Sequence, residues 1–235
     1  GLLPLLGWAV GFEQSVNRRR AEMFEARGAY VTALNATRTQ LAGLLGKLVG
    51  DKTMTQNLSW KLNHSVQSSL ETKLEKGGLD QLGLLAKGCQ EIGRASLDRY
   101  VSVPCPLAEG GPVLDQFFWT KAGDHPVLGL SRKLASLDGN EFVAIGIVEL
   151  DANWLNIHPE LKAKMDALKL RIGGKGGIAL LKEGLDVAGV PQASLISDHS
   201  LDRYLVERSG KDLAYGNPLV WPARSEEHTS ELQSH

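Results

Sequence analysis

A long proline-free run, from Glu13 to Leu48, restricts the fold of this chain more than any other feature. Ala and Leu dominate its second half, and both residue types favour a helix. Its large apolar residues recur at spacings that place them on one helix face; they are Val16, Met23, Tyr30, Leu34, Leu41, Leu44, Leu45 and Leu48. The pattern predicts one long helix, and a helical hairpin broken near Gly28 is the alternative.

A second helix is predicted from Leu58 to Leu74, because apolar residues again share one side of the helical repeat. Gly77-Gly78 should end it, since glycine readily adopts the left-handed conformation that closes a helix. Beyond Gly78 the pattern changes to short apolar runs that are separated by turn residues. Residues 82–86 and 89–95, on either side of Lys87-Gly88, are typical of a β-hairpin.

Three further runs extend the predicted sheet. Residues 116–120 form an aromatic run, and residues 128–135 and 142–150 make the clearest antiparallel pair. Asp138-Gly139 lies between the last two runs and supplies the positive φ that a hairpin turn needs. Five short strands after two helices predict the α+β fold class.

The helical repeat returns after Asp151, in a helix that Pro159 interrupts or starts. The glycine-rich segment 173–177 is not a phosphate-binding loop, because Gly176 follows Lys175 where such a loop has Ser or Thr. A turn into a strand at residues 178–181 is the better interpretation. Residues 193–196 and 204–206 are weaker strand candidates, and Asn217-Pro218 predicts a turn.

The first twelve residues carry no charge. A membrane-spanning helix needs about twenty apolar residues, so we expect residues 1–12 to be the end of a truncated transmembrane helix whose remainder lies upstream. Trp8 and Phe12 are residue types that favour the membrane–water interface. A buried segment of a soluble protein is the alternative. Residues 18–20 are all arginine, and positive residues beside a membrane helix favour the cytoplasmic side. They therefore oppose placing the residues after the helix outside the cytoplasm.

The last twelve residues, 224–235, resemble the in-frame translation of a sequencing adapter, so we expect the native residues of this fragment to end at Ala223 and the true protein to continue beyond it. Without them the formal net charge changes from −1 to +1. A chain so close to neutral gives no electrostatic argument for nucleic-acid binding. Cys89 and Cys105 lack the spacing of a metal site, and both a disulfide and two unpaired thiols remain open.

The order of these elements resembles the Cache-like, PAS-related extracytoplasmic sensor domains of bacterial histidine kinases, diguanylate cyclases and chemoreceptors. Residues 79–96 resemble the first hairpin of such a domain, and residues 128–154 resemble its last strands. Residues 170–184 resemble the opening of a second module. The resemblance implies a PAS-like antiparallel sheet module at 77–156 and a second, partial one at 157–223, after helices at 13–76.

The same resemblance implies a sensory input domain that binds a small ligand and signals through the long helix to a missing cytoplasmic output domain. It implies an inner-membrane protein with a periplasmic sensing region and a homodimer formed through that helix. The residue types of its ligand sites occur here at altered spacing, as Tyr100, Phe117, Trp119, Arg132 and Asp151. Arg132 has two interpretations: it faces a ligand carboxylate or it faces solvent.

No catalytic, metal or cofactor motif emerges from the sequence. Asp124 and His125 have the residue types of a base and its orienting partner, but no nucleophile in a matching context accompanies them. Ser131 is not in a nucleophile elbow, because Lys133 stands where that motif has glycine. Catalysis is therefore left uncertain, and a soluble small-molecule-binding protein or an enzyme with an unrecognised pocket is the alternative function.

Overall fold

The computed structural model describes residues 2–173, 176–185 and 191–209. It has the predicted α+β architecture, with a long N-terminal helix followed by an antiparallel sheet. The chain divides into a central unit, Leu34–Trp154, and a terminal unit that joins the residues up to Ala33 with those from Leu155 onward. The predicted turn at Asn217-Pro218 and the adapter-like residues 224–235 lie outside the described residues.

Helix α1 runs without interruption from Leu2 to Val49, so the long-helix prediction is confirmed and the hairpin alternative is wrong. One face of the helix is buried along most of its length, and the buried residues recur mostly every three or four positions. Met23, Ala26, Tyr30 and Ala33 belong to the terminal unit, and Leu34, Leu41, Leu45 and Leu48 belong to the central unit. Residues 2–12 are helical and exposed on every side. None of the helices in the described residues combines the length and the apolar character needed to cross a membrane.

The predicted helix at 58–74 is two helices, α2 from Lys52 to Ser59 and α3 from Asn63 to Gly77. Asp51 starts α2 separately, because its carboxylate accepts hydrogen bonds from the backbone N–H groups of Thr53 and Met54. Lys61 has a φ of 53°, which ends the first helical segment. Gly78 closes α3 in the left-handed conformation, as predicted.

The central unit contains a five-stranded antiparallel sheet in the order β2-β1-β5-β4-β3. Its strands are β1 Gln81–Ala86, β2 Gln90–Ser96, β3 Phe117–Ala122, β4 His125–Ala135 and β5 Glu141–Glu149. The predicted pairing of the last two strands is confirmed, and Gly139 has a positive φ in the turn between them. The first and last strands of this sheet in chain order therefore lie side by side at its centre.

The two faces of this sheet are covered by different parts of the central unit. On one face, a Cβ atom added at Gly146 would lie 2.8 Å from the Leu41 side chain and 3.1 Å from the Leu79 side chain. Since Leu41 belongs to α1, the helix lies directly against the sheet at this glycine. On the other face, an apolar cluster of Val127, Val143, Ile145, Ile147, Val101 and Ala122 is covered by Leu85, Val103, Leu114 and Phe118. The β2–β3 connection, residues 97–116, thus contributes to the core.

Two links hold the β2–β3 connection to the sheet. The Gln81 side chain accepts a hydrogen bond from the Val101 backbone N–H and donates one to the Val101 carbonyl, each at 2.9 Å. A disulfide joins Cys89, at the β1–β2 turn, to Cys105. Of the two cysteine states that the sequence leaves open, the structure contains the bridged one.

The remaining elements follow β5. The short helix α4, Ala152–Asn156, contains Trp154, whose indole N–H donates to the Thr37 hydroxyl at 2.9 Å within the central unit. Helix α5 begins at Pro159 and ends at Leu168. A three-stranded antiparallel sheet follows in the order β6-β8-β7; its strands are β6 Leu170–Ile172, β7 Ile178–Leu185 and β8 Pro191–Ser197.

The predicted strand at residues 204–206 is wrong, because these residues belong to helix α6, Ser200–Ser209. The buried residues of this segment are Asp202, Leu205 and Val206, which are spaced by three and four as on a helix face. A run of three residues is too short to distinguish this spacing from the alternation of a strand. The strands predicted at 178–181 and 193–196 are confirmed.

Candidate ligand-binding site

Three of the five residues predicted to bind a ligand lie on one face of the central sheet. Phe117 pairs with Leu130 and Trp119 pairs with Leu128, so both aromatic residues share the face of β4 that also carries Arg132. Phe118 points to the opposite face and packs on its apolar cluster. The aromatic run therefore alternates between the two faces of the sheet.

Arg132 is half-buried and not fully exposed to solvent. Its Nε lies 3.8 Å from a carboxylate oxygen of Asp115. A Cβ built at Gly46 of α1 would be 3.4 Å from Arg132 Nη1, so the guanidinium lies against that helix. Arg132 is therefore placed between sheet and helix, with an acidic neighbour already beside it.

Tyr100 and Asp151 lie apart from that group. Tyr100 is 54% exposed, and the Arg94 guanidinium stacks 3.8 Å above its ring. The Asp151 carboxylate accepts the Trp154 backbone N–H at 3.0 Å, where it caps the first turn of α4. The structure thus places Phe117, Trp119 and Arg132 on one sheet face, whereas Tyr100 and Asp151 have other contacts.

A cavity of about 510 Å³ opens at the end of the central sheet where β1 ends and β5 begins. Its polar lining comes from Lys87, Gln90, Lys133, Asn140 and Glu141, and its apolar lining from Ala86, Leu107, Phe142 and Val143, beside Gly139. Small-molecule sites have volumes of about 300–1,000 Å³ and combine an apolar wall with a few polar groups. The cavity has the size and mixed lining of such a site.

Positive charge exceeds negative charge in this cavity. Lys133 Nζ lies 3.9 Å from a Glu141 carboxylate oxygen, and both side chains are more than half exposed. At that distance and exposure the pair is weak. Lys87 has no ion-pair partner within the part of the chain that the structure describes. Two lysines therefore line a cavity whose described lining residues include one carboxylate.

Sequence reasoning missed this cavity, and none of the five predicted residues lines it. Its residues come from the β1–β2 turn, the β4–β5 hairpin and the β2–β3 connection, which are distant in sequence. From the sequence, Lys87 is predicted only as a turn residue, and Asn140 directly follows the predicted turn at Asp138-Gly139. The available signal was Lys87 in one predicted turn and Lys133 near the end of the strand that leads to the other turn, because the strand pairing places both at the same end of the sheet.

Carboxylates gather at the opposite end of β1. The Asp80 carboxylate accepts the Glu149 backbone N–H at 2.7 Å, and the Glu149 side chain accepts from Arg99 Nη2 at 2.6 Å. Burial raises the pKa of Asp80 to about 6, and the negative charges of Asp151, Glu149 and Asp98 add to this effect. No cluster of His, Cys, Asp and Glu in the described ranges is arranged to hold a metal ion.

The raised pKa of Asp80 predicts a pH-dependent stability. The folded protein holds this proton more tightly than the unfolded chain, so the stabilisation is complete below about pH 4 and is lost as the pH rises through about 6. The variant Asp80→Asn should therefore be more stable than the parent by about 1 kcal/mol at pH 8, after discounting for partial exposure. Urea unfolding at several pH values measures this, with the exposed Asp124→Asn as control. Equal gains from both variants would contradict the assignment to Asp80.

Comparison of the chain with protein-family models, curated proteins and solved structures finds no match in any of the three.

Proposed function

We propose that this chain is the sensory input region of a bacterial membrane receptor. It binds a small extracytoplasmic ligand and transmits the signal through α1 to a cytoplasmic output domain. The observation that carries the proposal is the continuity of α1, one helix of 48 residues that contributes buried residues to both compact units. Because the helix is continuous, a displacement of one part of it is transmitted through the backbone to the rest.

The N-terminal end of α1 supports a membrane location. Its large apolar side chains are exposed all round the helix; Leu2, Leu3, Leu5, Leu6, Trp8, Val10 and Phe12 are each at least 44% exposed. Water is an unfavourable surrounding for such a surface, whereas lipid is a favourable one. A helix that leaves a bilayer here would enter the folded units from residue 13 onward.

The arginine run that follows is partly explained by folding. Arg19 donates two hydrogen bonds of 2.7 Å to the buried Asp202 carboxylate and a third, of 3.1 Å, to the Leu168 carbonyl. Its charge is therefore needed inside the terminal unit, whichever side of a membrane that unit occupies. This weakens the argument from residues 18–20 for a cytoplasmic location.

A topology assay on the complete gene tests this proposal. Alkaline phosphatase, which is active only outside the cytoplasm, would be fused after α6, and green fluorescent protein would be fused there in a parallel gene. We expect phosphatase activity in the membrane fraction and no fluorescence. Fluorescence without phosphatase activity, or fusion protein confined to the soluble fraction, would overturn the proposal and favour the soluble binding protein or enzyme.

A further inference from the structure

We propose that the cavity at the end of the central sheet binds small organic anions that carry a short apolar body. This inference rests on the ligand-binding part of the proposed function and is independent of the membrane part. It concerns a different site from the group formed by Phe117, Trp119 and Arg132. The carrying observation is the combination of two lysines with an apolar wall around about 510 Å³.

The charge of the cavity selects the class of ligand. Lys87 has no carboxylate partner among the described residues, and Lys133 has only a distant one in Glu141. Each ammonium group is a donor of three hydrogen bonds and has no acceptor. An anionic oxygen group that reaches either ammonium would gain charge-assisted hydrogen bonds, whereas a cation would meet repulsion. The amide of Gln90 can donate to the same anion. The Asn140 amide nitrogen already donates to the Asp138 carboxylate at 3.1 Å.

The apolar wall selects the rest of the ligand. Leu107 is 41% exposed, which leaves a large apolar surface beside the lysines. Val143 also belongs to the apolar cluster on one sheet face, so the cavity floor is continuous with the core. A short alkyl or aromatic group can cover this surface and bury it from water. An inorganic anion has no such group and should bind more weakly.

The walls of the cavity are held together by the disulfide. Lys87 is two residues from Cys89, and Leu107 is two residues from Cys105. The bridge therefore fixes the charged turn against the connection that supplies the apolar wall. A site whose walls are covalently fixed loses less conformational freedom when a ligand binds.

Isothermal titration calorimetry on the whole chain tests this inference, with benzoate, benzenesulfonate and the uncharged benzamide as probes. We expect both anions to bind with a Kd below about 1 mM and benzamide to bind at least tenfold more weakly. Sodium sulfate, which lacks an apolar body, should bind more weakly than benzenesulfonate. Failure of both anions to bind, or equal binding of benzoate and benzamide, would overturn the inference.

Lysine variants locate the site. Lys87→Met and Lys133→Met should each weaken benzoate binding about tenfold, because each removes a charge-assisted contact. Lys76→Met is the matched control, since Lys76 is an exposed lysine of the central unit outside the cavity, and it should bind as the parent does. Equal loss in all three variants would show a general charge effect and contradict the site.

Glu141→Gln provides a test that loss of folding cannot imitate. It removes the only carboxylate among the described lining residues and the ion-pair partner of Lys133, so benzoate binding should strengthen several-fold. Unchanged or weaker binding would overturn the electrostatic argument. A thermal-shift screen separates this inference from the proposed sensory function. If neutral compounds stabilise the protein and anions do not, this inference is contradicted, whereas the proposed sensory function is not.

Discussion

Replacing Asp202 with asparagine is expected to lower the free energy of unfolding of the terminal unit by about 3 kcal/mol, within the range found when one member of a buried ion pair is removed. Asp202 is fully buried and accepts two hydrogen bonds of 2.7 Å from Arg19. The Ser197 hydroxyl also donates to it. The neutral amide would leave the Arg19 side chain, only 13% exposed, without the charge to which it is hydrogen-bonded. Urea unfolding followed by circular dichroism measures the loss.

A double-mutant cycle separates this effect from simple misfolding. Arg19→Met combined with Asp202→Asn removes both charges, so the double variant should be less destabilised than the sum of the two single variants. Glu25→Gln breaks the exposed ion pair between Glu25 and Lys164 in the same unit and should cost less than about 1 kcal/mol. Additive single effects, or an equal loss from Glu25→Gln, would show that the buried pair has no special role.

Long periodic segments are where the sequence predicted structure best. The face of α1 that recurs every three or four residues is the buried one, and the β4–β5 pair has the predicted turn. These signals are local and repeat over many residues, so no single exception removes them. The break between α2 and α3 depends instead on the left-handed backbone of Lys61, a residue type with no special preference for that conformation.

Functional interpretation was harder because it depends on contacts between distant segments. In the sequence Arg19 belongs to a basic run beside the expected membrane segment, whereas its partner Asp202 lies 183 residues away. The alternation of Phe117 and Trp119 with Phe118 was predictable, but sequence alone did not show that the first two share a face with Arg132. The cavity is formed by two turns and a connection, none of which has a periodic pattern.

Removing the Cys89–Cys105 disulfide is expected to lower the free energy of unfolding of the central unit by about 3 kcal/mol, the loop-closure value for a loop of about fifteen residues. The two cysteines are 16 residues apart. The bridge restrains the unfolded chain, and in the folded unit it anchors the connection that contributes Val101, Val103 and Leu114 to the core. The double variant Cys89→Ser with Cys105→Ser tests this by urea unfolding without reductant.

Reduction supplies the matched control for that variant. Dithiothreitol should lower the unfolding midpoint of the parent protein to that of the double variant, and it should leave the variant itself unchanged. A parent whose midpoint does not move, although a thiol assay shows both cysteines reduced, would contradict a stabilising role for the bridge.

Because Cys89 and Cys105 each stand two residues from a lining residue of the cavity, benzoate binding should weaken in the reduced parent while the protein is still folded. A loss of stability without any loss of binding would show that the disulfide stabilises the core and does not contribute to ligand binding in the cavity.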